Sequence, residues 1–165
     1  MSALEQIRAL FEYNEWANKH LLETASALSE DELVRDLGAS FGGVKENLQH
    51  TLAAQVLWLA RWAKDEPTGL LAPDKSQTLP AIRDAYDASH DGLRLFVEAL
   101  TEADLAGTIS YVDTRGADQE RVLWQVMLHV VNHGTNHRAE TALLLTSFGH
   151  APRELDYVFF ELERA

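Results

Sequence analysis

One stretch of the chain decides the fold: residues 122–148, which read VLWQVMLHVVNHGTNHRAETALLLTSF. The apolar residues in it recur at helical spacing, and Gly149 with Pro152 just beyond is typical of a helix end. The stretch therefore predicts a long helix from Val122 to Phe148. A helix with one apolar face must bury it against other elements, so the rest of the chain should supply partners.

Three further stretches show the same spacing of apolar residues. They are Ala3–Leu28, Val44–Lys64 and a run that begins at Thr78, with Pro80 near its first turn, and extends to about Leu100. Their connections vary in length, and we find no internal repeat. Four long helices joined in this way predict an all-α protein built as a four-helix bundle.

Shorter elements are predicted between and after the long helices. A connector helix is expected within Ser29–Gly38, where acidic residues follow a capping serine. The segment Thr108–Val112, a polar turn at Arg115–Asp118 and a second short segment predict a small hairpin before the last long helix. A short helix over about Leu155–Glu163 would follow that helix. The length favours a single domain over residues 1–165.

Composition excludes several classes of site and partner. The chain has no cysteine, which rules out disulfides, thiolate zinc sites, iron–sulfur clusters and a cysteine nucleophile. Its formal net charge of -12 opposes binding to nucleic acid or to anionic membranes, so we expect neither partner. The start MSALEQIRALFEYNEW has acidic residues and no long apolar core, which predicts neither signal peptide nor membrane span and favours a cytoplasmic location.

Two histidines one helical turn apart, His133 and His137, are the most informative functional feature. Side chains four residues apart lie on the same helix face, and this pair falls within the predicted apolar sector. A third inward histidine, His50, lies on the second long helix beside small residues. Packing of the two helices would complete a three-histidine site for a divalent metal, with a position left open for substrate. Zinc, nickel, iron and manganese all remain candidates.

Other polar residues near this pair have weaker predictions. His129 projects to the edge of the apolar sector, and Glu140 projects to a marginal angle, so whether they or Asp156 support the site stays open. The remaining histidines are interpreted as having no part in the site. His20 and His90 are predicted to be solvated, and His150 follows the helix end.

The chain resembles the DinB-like (DinB/YfiT) family of four-helix metalloproteins over essentially its whole length. The resemblance is carried by residues 13–18 (YNEWAN), by His50 with residues 58–61 (WLAR), by residues 133–138 (HGTNHR) and by residues 149–157 (GHAPRELDY). It implies a divalent metal held by His50, His133 and His137, and a homodimer. The family often has Gly and Gln after the His-Arg pair, where this chain has Ala139 and Glu140.

The functional hypotheses follow from the site and the resemblance. Related groups include enzymes that use low-molecular-weight thiols, such as mycothiol-dependent maleylpyruvate isomerases and bacillithiol transferases. The leading hypothesis is a metal-dependent enzyme acting on a small-molecule substrate, in the form of a transferase that uses such a thiol, with catalytic residues unassigned. The alternatives are a noncatalytic metal-binding or stress-response sensor, a metal-dependent hydrolase of a small substrate, and a purely structural bundle whose histidines are hydrogen-bonded core residues. A protease is disfavoured because no His-Glu-x-x-His arrangement is present.

Overall fold

The computed structural model describes residues 2–64, 69–70, 72–74 and 76–164. Seven helices and two strands follow one another along these residues. They are α1 (Ala3–Ala25), α2 (Glu30–Leu33), α3 (Val44–Trp62), α4 (Leu79–Ala99), α5 (Glu102–Ala106), β1 (Thr108–Val112), β2 (Asp118–Val122), α6 (Leu123–Ser147) and α7 (Tyr157–Arg164).

The predicted helical bundle is confirmed, and the differences lie at helix ends. Helix α1 starts at a capping box between Ser2 and Glu5 but ends at Ala25 rather than Leu28, because tight-turn hydrogen bonds replace helical ones beyond it. The predicted hairpin is present as the antiparallel pair β1 and β2. A further short helix, α5, capped by Thr101, lies between α4 and the hairpin.

The four long helices pack in a ring. Helix α1 lies against α4 and α6, and α3 lies against the same two helices. One apolar cluster joins the first half of α1 to the last turns of α3 and α4 and the first half of α6. A second cluster joins the end of α1 to the starts of α3 and α4 and the end of α6. Helices α1 and α6 therefore run in one direction and α3 and α4 in the other.

A buried polar layer, formed by Asn14, Asn18, Gln55, His90 and Arg138, lies between the two apolar clusters. One of its residues corrects a prediction. His90 was expected to be solvated, but it is only 3% exposed and its Nε2 lies 3.1 Å from Nδ2 of Asn18. The reason is periodicity: His90 continues the buried stripe of Ile82 and Tyr86 on α4, although its immediate sequence neighbours are polar. No helix in the described ranges is long and apolar enough to cross a membrane.

Candidate metal centre

Helices α3 and α6 bring the three predicted histidines together. His50 on α3 contacts His133 and His137 on α6, with ring centroids 5.1 and 4.6 Å away. Two turns further along α3, Trp58 meets His129, which lies earlier on α6. The contacts thus advance along one helix while they recede along the other, as in antiparallel packing. This packing places His50 opposite the pair formed by His133 and His137.

The three rings converge on one point. One ring nitrogen from each of His50, His133 and His137 lies within 4.8 Å of the other two. The Nε2 atoms of His50 and His133 are 3.3 Å apart. Two nitrogens that bind one tetrahedral zinc ion at about 2.0–2.1 Å lie roughly 3.4 Å from each other. The donor set and its spacing therefore fit a divalent ion bound by imidazole nitrogen.

The protonation of the rings suits this role. Burial, with a smaller contribution from the charge of His137, lowers the pKa of His50 to about 4. Burial, followed by the charges of the neighbouring histidines, also lowers the pKa of His133 to about 4. Both rings are consequently neutral at pH 7, and a neutral imidazole is the form that binds metal.

Glu140 holds the third ring in place. Its Oε2 lies 3.2 Å from Nδ1 of His137, so Nε2 is the nitrogen of His137 left for a ligand. Its Oε1 accepts hydrogen bonds from the backbone N–H of Ser40 at 2.8 Å and from the Ser40 hydroxyl at 2.5 Å. The bonds from Ser40, and then that from His137, lower the pKa of Glu140. An ionised carboxylate behind a ligating histidine fixes the ring orientation and raises its basicity.

The loop before α3 covers the site, which sequence reasoning did not anticipate. The Phe41 ring stacks on His50 with centroids 3.6 Å apart, and it meets His137 edge-on at 5.4 Å. A tight turn from Ala39 to Gly42 aims both Ser40 and Phe41 at the site, and Gly42 has φ +91°, a conformation that favours glycine. The available signal was an aromatic residue in a glycine-rich loop shortly before His50.

The sequence pattern of the DinB family matches residues 1–164. The chain belongs to the DinB family. Protein DinB of Bacillus subtilis is 21% identical over an alignment of 155 residues, and the match covers 90% of this chain and 89% of that protein. The crystal structure of a DinB family member from Shewanella denitrificans matches with a TM-score of 0.65 and 18% identity, covering 94% of this chain and 95% of that one.

The other residues considered from the sequence of this DinB family chain lie outside the group of three converging nitrogens. The His129 ring lies 5.7 Å from that of His133, so it borders the site without joining the three converging nitrogens. Asp156 is exposed at the start of α7, and its carbonyl accepts from the Phe159 N–H. His20 is partly exposed, with Nδ1 3.2 Å from Glu23.

A second polar cluster lies on the adjoining face of α6, where this helix packs against α1. The Arg138 guanidinium is 3% exposed and donates to Oδ1 of Asn14 at 2.7 Å and Oδ1 of Asn18 at 3.1 Å. A Cβ on Gly134 would come within 2.7 Å of Arg138 Nη1 and 2.9 Å of Asn14 Oδ1. Glycine beside His133 therefore lets α1 and the Arg138 side chain approach α6 closely. The segment HGTNHR, residues 133–138, therefore contributes side chains to both clusters.

Proposed function

We propose that this protein is a divalent-metal-dependent enzyme in which His50, His133 and His137 hold the ion. The observation that carries the proposal is the convergence of three imidazole nitrogens within 4.8 Å of one another. Three neutral nitrogen ligands leave at least one coordination position for a substrate, as catalytic sites do. Zinc, nickel, iron and manganese are all compatible with such a donor set.

The reaction that we favour is transfer to or from a low-molecular-weight thiol. A bound divalent ion supplies Lewis acidity, toward either a substrate oxygen or the sulfur of the thiol. Because the chain has no cysteine, the thiol must come from a small molecule. Glu140 has both oxygens engaged, by Ser40 and by His137, so it orients the ring rather than taking a proton from a nucleophile. This disfavours the hydrolase alternative, which needs a general base at the site.

The ligand set is tested by metal content and titration. Protein purified without added metal and analysed for elements, then titrated calorimetrically with zinc, nickel, iron(II) and manganese(II), should bind one ion per chain. His137→Ala should lower the affinity by more than the roughly 100-fold that loss of an outer-shell partner costs. His20→Ala is the matched control, because His20 also lies on a helix beside a glutamate. No stoichiometric ion, or equal affinities in the two variants, would contradict the assignment.

Activity separates the enzyme from the second candidate, a noncatalytic metal-binding or stress-response sensor. The solvent access of the three rings, each only partly buried, is compatible with both functions. A panel of small thiols with electrophilic acceptors should show turnover that requires both metal and thiol. Metal binding without turnover across the panel would favour the sensor.

We also propose that the protein is a homodimer that pairs through the outer face of α6. This face carries no charged residue in a chain whose net charge is -12. It comprises Trp124, Leu128, Asn132, Thr135, Ala139 and Leu143, all exposed. A self-complementary helix face of this kind suits a two-fold interface. Leu143→Glu should convert the dimer to a monomer in light scattering, whereas Leu95→Glu, at a similarly exposed leucine on α4, should not.

A further inference from the structure

An open cleft of about 420 Å³ adjoins the candidate metal centre. Its lining consists of Trp58, Tyr111, Arg121, Gln125, Val126 and His129. The cleft lies between α3, the hairpin and the first half of α6. Its volume falls within the range of small-molecule sites.

The His129 ring forms the wall between the cleft and the three histidines. Its centroid lies 5.7 Å from that of His133 on one side and 5.5 Å from that of Trp58 on the other. Only the His129 ring therefore lies between a molecule in the cleft and His133, a candidate metal ligand. A substrate that reaches the open position beside His133 can extend into this space.

The charges around the cleft favour an anion. Among the described residues that line it none is acidic, although the chain contains 26 Asp and Glu residues. Within the described ranges, the Arg121 guanidinium has no salt bridge, and its hydrogen bond goes to the adjacent Glu120 carbonyl at 2.7 Å. Arginine presents a planar fork of donors that matches a carboxylate. The position of this arginine, at a cleft whose described lining holds no acidic residue, marks the place for an anionic group.

A second cation, Arg61, lies behind the Trp58 and Tyr111 rings that line the cleft. The Arg61 guanidinium lies over the rings of Trp58 and Tyr111, 4.8 and 4.7 Å from their centroids, and donates to the Val112 carbonyl at 2.8 Å. Its position fixes both rings in place, and its charge, which Asp113 partly offsets, lies next to the cleft. The Tyr111 ring is partly exposed and meets the buried Trp58 ring edge-on, with centroids 5.0 Å apart, so it offers an apolar face for stacking.

We infer that this cleft is a substrate subsite for a flat or apolar body that carries a carboxylate, with Arg121 as the residue that selects the charge. The inference rests on the proposed function in one respect: the cleft is a subsite of the reaction only if the three histidines form the reactive centre. The binding chemistry of the cleft itself is independent of the ion. Arg121 acts on specificity and is not a catalytic residue.

Two fluorinated probes of nearly equal shape test the charge preference. Binding of 4-fluorobenzoate and neutral 4-fluorobenzamide is followed by fluorine NMR, with zinc-loaded and with metal-free protein. The benzoate should bind at least about tenfold more tightly than the amide, in line with a charge-assisted bond to arginine. Arg121→Gln should remove that preference and leave amide binding unchanged. Arg121→Lys should restore it only in part, since lysine lacks the fork.

Arg115→Gln is the matched control, because it removes the same charge from the exposed turn of the same hairpin without touching the cleft. No measurable benzoate binding, no preference over the amide, or an equal loss in both arginine variants would overturn the inference. So would benzoate binding that requires zinc and His137 but not Arg121. Zinc affinity measured on the same samples keeps this outcome separate from failure of the proposed function.

Discussion

His137 and Arg138 are neighbours in the chain, yet they belong to two polar clusters of opposite character. The His137 side chain is 15% exposed and meets rings from α3 and from the loop before it. The Arg138 side chain is sealed between α1 and α6, where its partners are amide and hydroxyl oxygens. No carboxylate pairs with Arg138 among the described residues, so its charge is balanced by dipoles and by the Tyr13 ring, 5.3 Å away.

The difference separates chemistry from architecture within one helical turn. The histidine cluster keeps ring nitrogens directed toward each other and accessible from outside, as an ion requires. In the Arg138 cluster, the amide oxygens of Asn14 and Asn18 receive the donors of the cation. Such a network is stable when its members are paired and costly when one of them is removed. We therefore expect damage to the first cluster to affect metal binding and damage to the second to affect folding.

The largest expected effect is on stability. Arg138→Met should lower the free energy of unfolding by about 2–4 kcal/mol, because the oxygens of Asn14 and Asn18 lose their donor in a buried site. Urea denaturation at pH 7 measures the loss. The variant should still bind one metal ion per chain. Arg94→Met, which breaks only an exposed pair with Asp91, should cost less than about 0.5 kcal/mol; equal costs would end the distinction between the clusters.

Substitution of Glu140 tests the histidine cluster, where we expect an effect on metal binding rather than on folding. Glu140→Ala should weaken metal binding about 10- to 100-fold with little change in unfolding, because the His137 ring loses the carboxylate that orients it. Glu140→Gln keeps an oxygen acceptor and should weaken binding less. Calorimetric titration provides both values. Glu23→Ala is the control, since Glu23 lies 3.2 Å from His20 in the same i, i+3 relation away from the site; a similar loss there would argue against a specific role for Glu140.

His90, in the buried polar layer, should make the stability of the protein depend on pH. Burial lowers the pKa of His90 to about 4 in the folded protein, whereas the unfolded chain takes up this proton near the ordinary value of 6.5. Its contribution to stability is therefore complete above about pH 6.5 and is lost as the pH falls toward 4. Between pH 7 and pH 5 the metal-free wild type should lose about 1–2 kcal/mol more than His90→Gln. Parallel pH curves for the two proteins, in denaturation with a chelator present, would contradict this.

The smallest expected effect concerns the glycine between the clusters. Gly134→Ala should lower stability by about 1 kcal/mol, because crowding of the Arg138–Asn14 bond outweighs the gain in helix propensity. Gly92→Ala on α4 is the matched control. A Cβ there would approach only the movable end of the Leu59 side chain, so we expect no loss. Thermal unfolding of both variants decides the point, and equal stability of the two would show that the approach at Gly134 is not tight.

Much of this arrangement follows from periodicity, and some of it does not. The spacing of His133 and His137 predicts a shared helix face because that geometry is local. The convergence of His50 with them required the additional assumption that two particular helices are neighbours. The prediction for His90 was wrong because the polarity of its neighbours was given more weight than its place on the Ile82–Tyr86 stripe. Ser40 and Phe41 could not be assigned, since a loop has no repeat from which to infer direction.

The sequence by itself therefore determined the four long helices, the absence of thiol chemistry within the chain, and the pair of imidazoles aimed at one point. These are properties of composition or of backbone geometry over a few residues. Only the tertiary structure decided that the predicted third ring, His50, meets the pair, which carboxylate holds His137, and that Arg138 lies sealed among neutral partners. Each of those depends on the register and direction of helices far apart in the chain, which are set by how all their faces pack together.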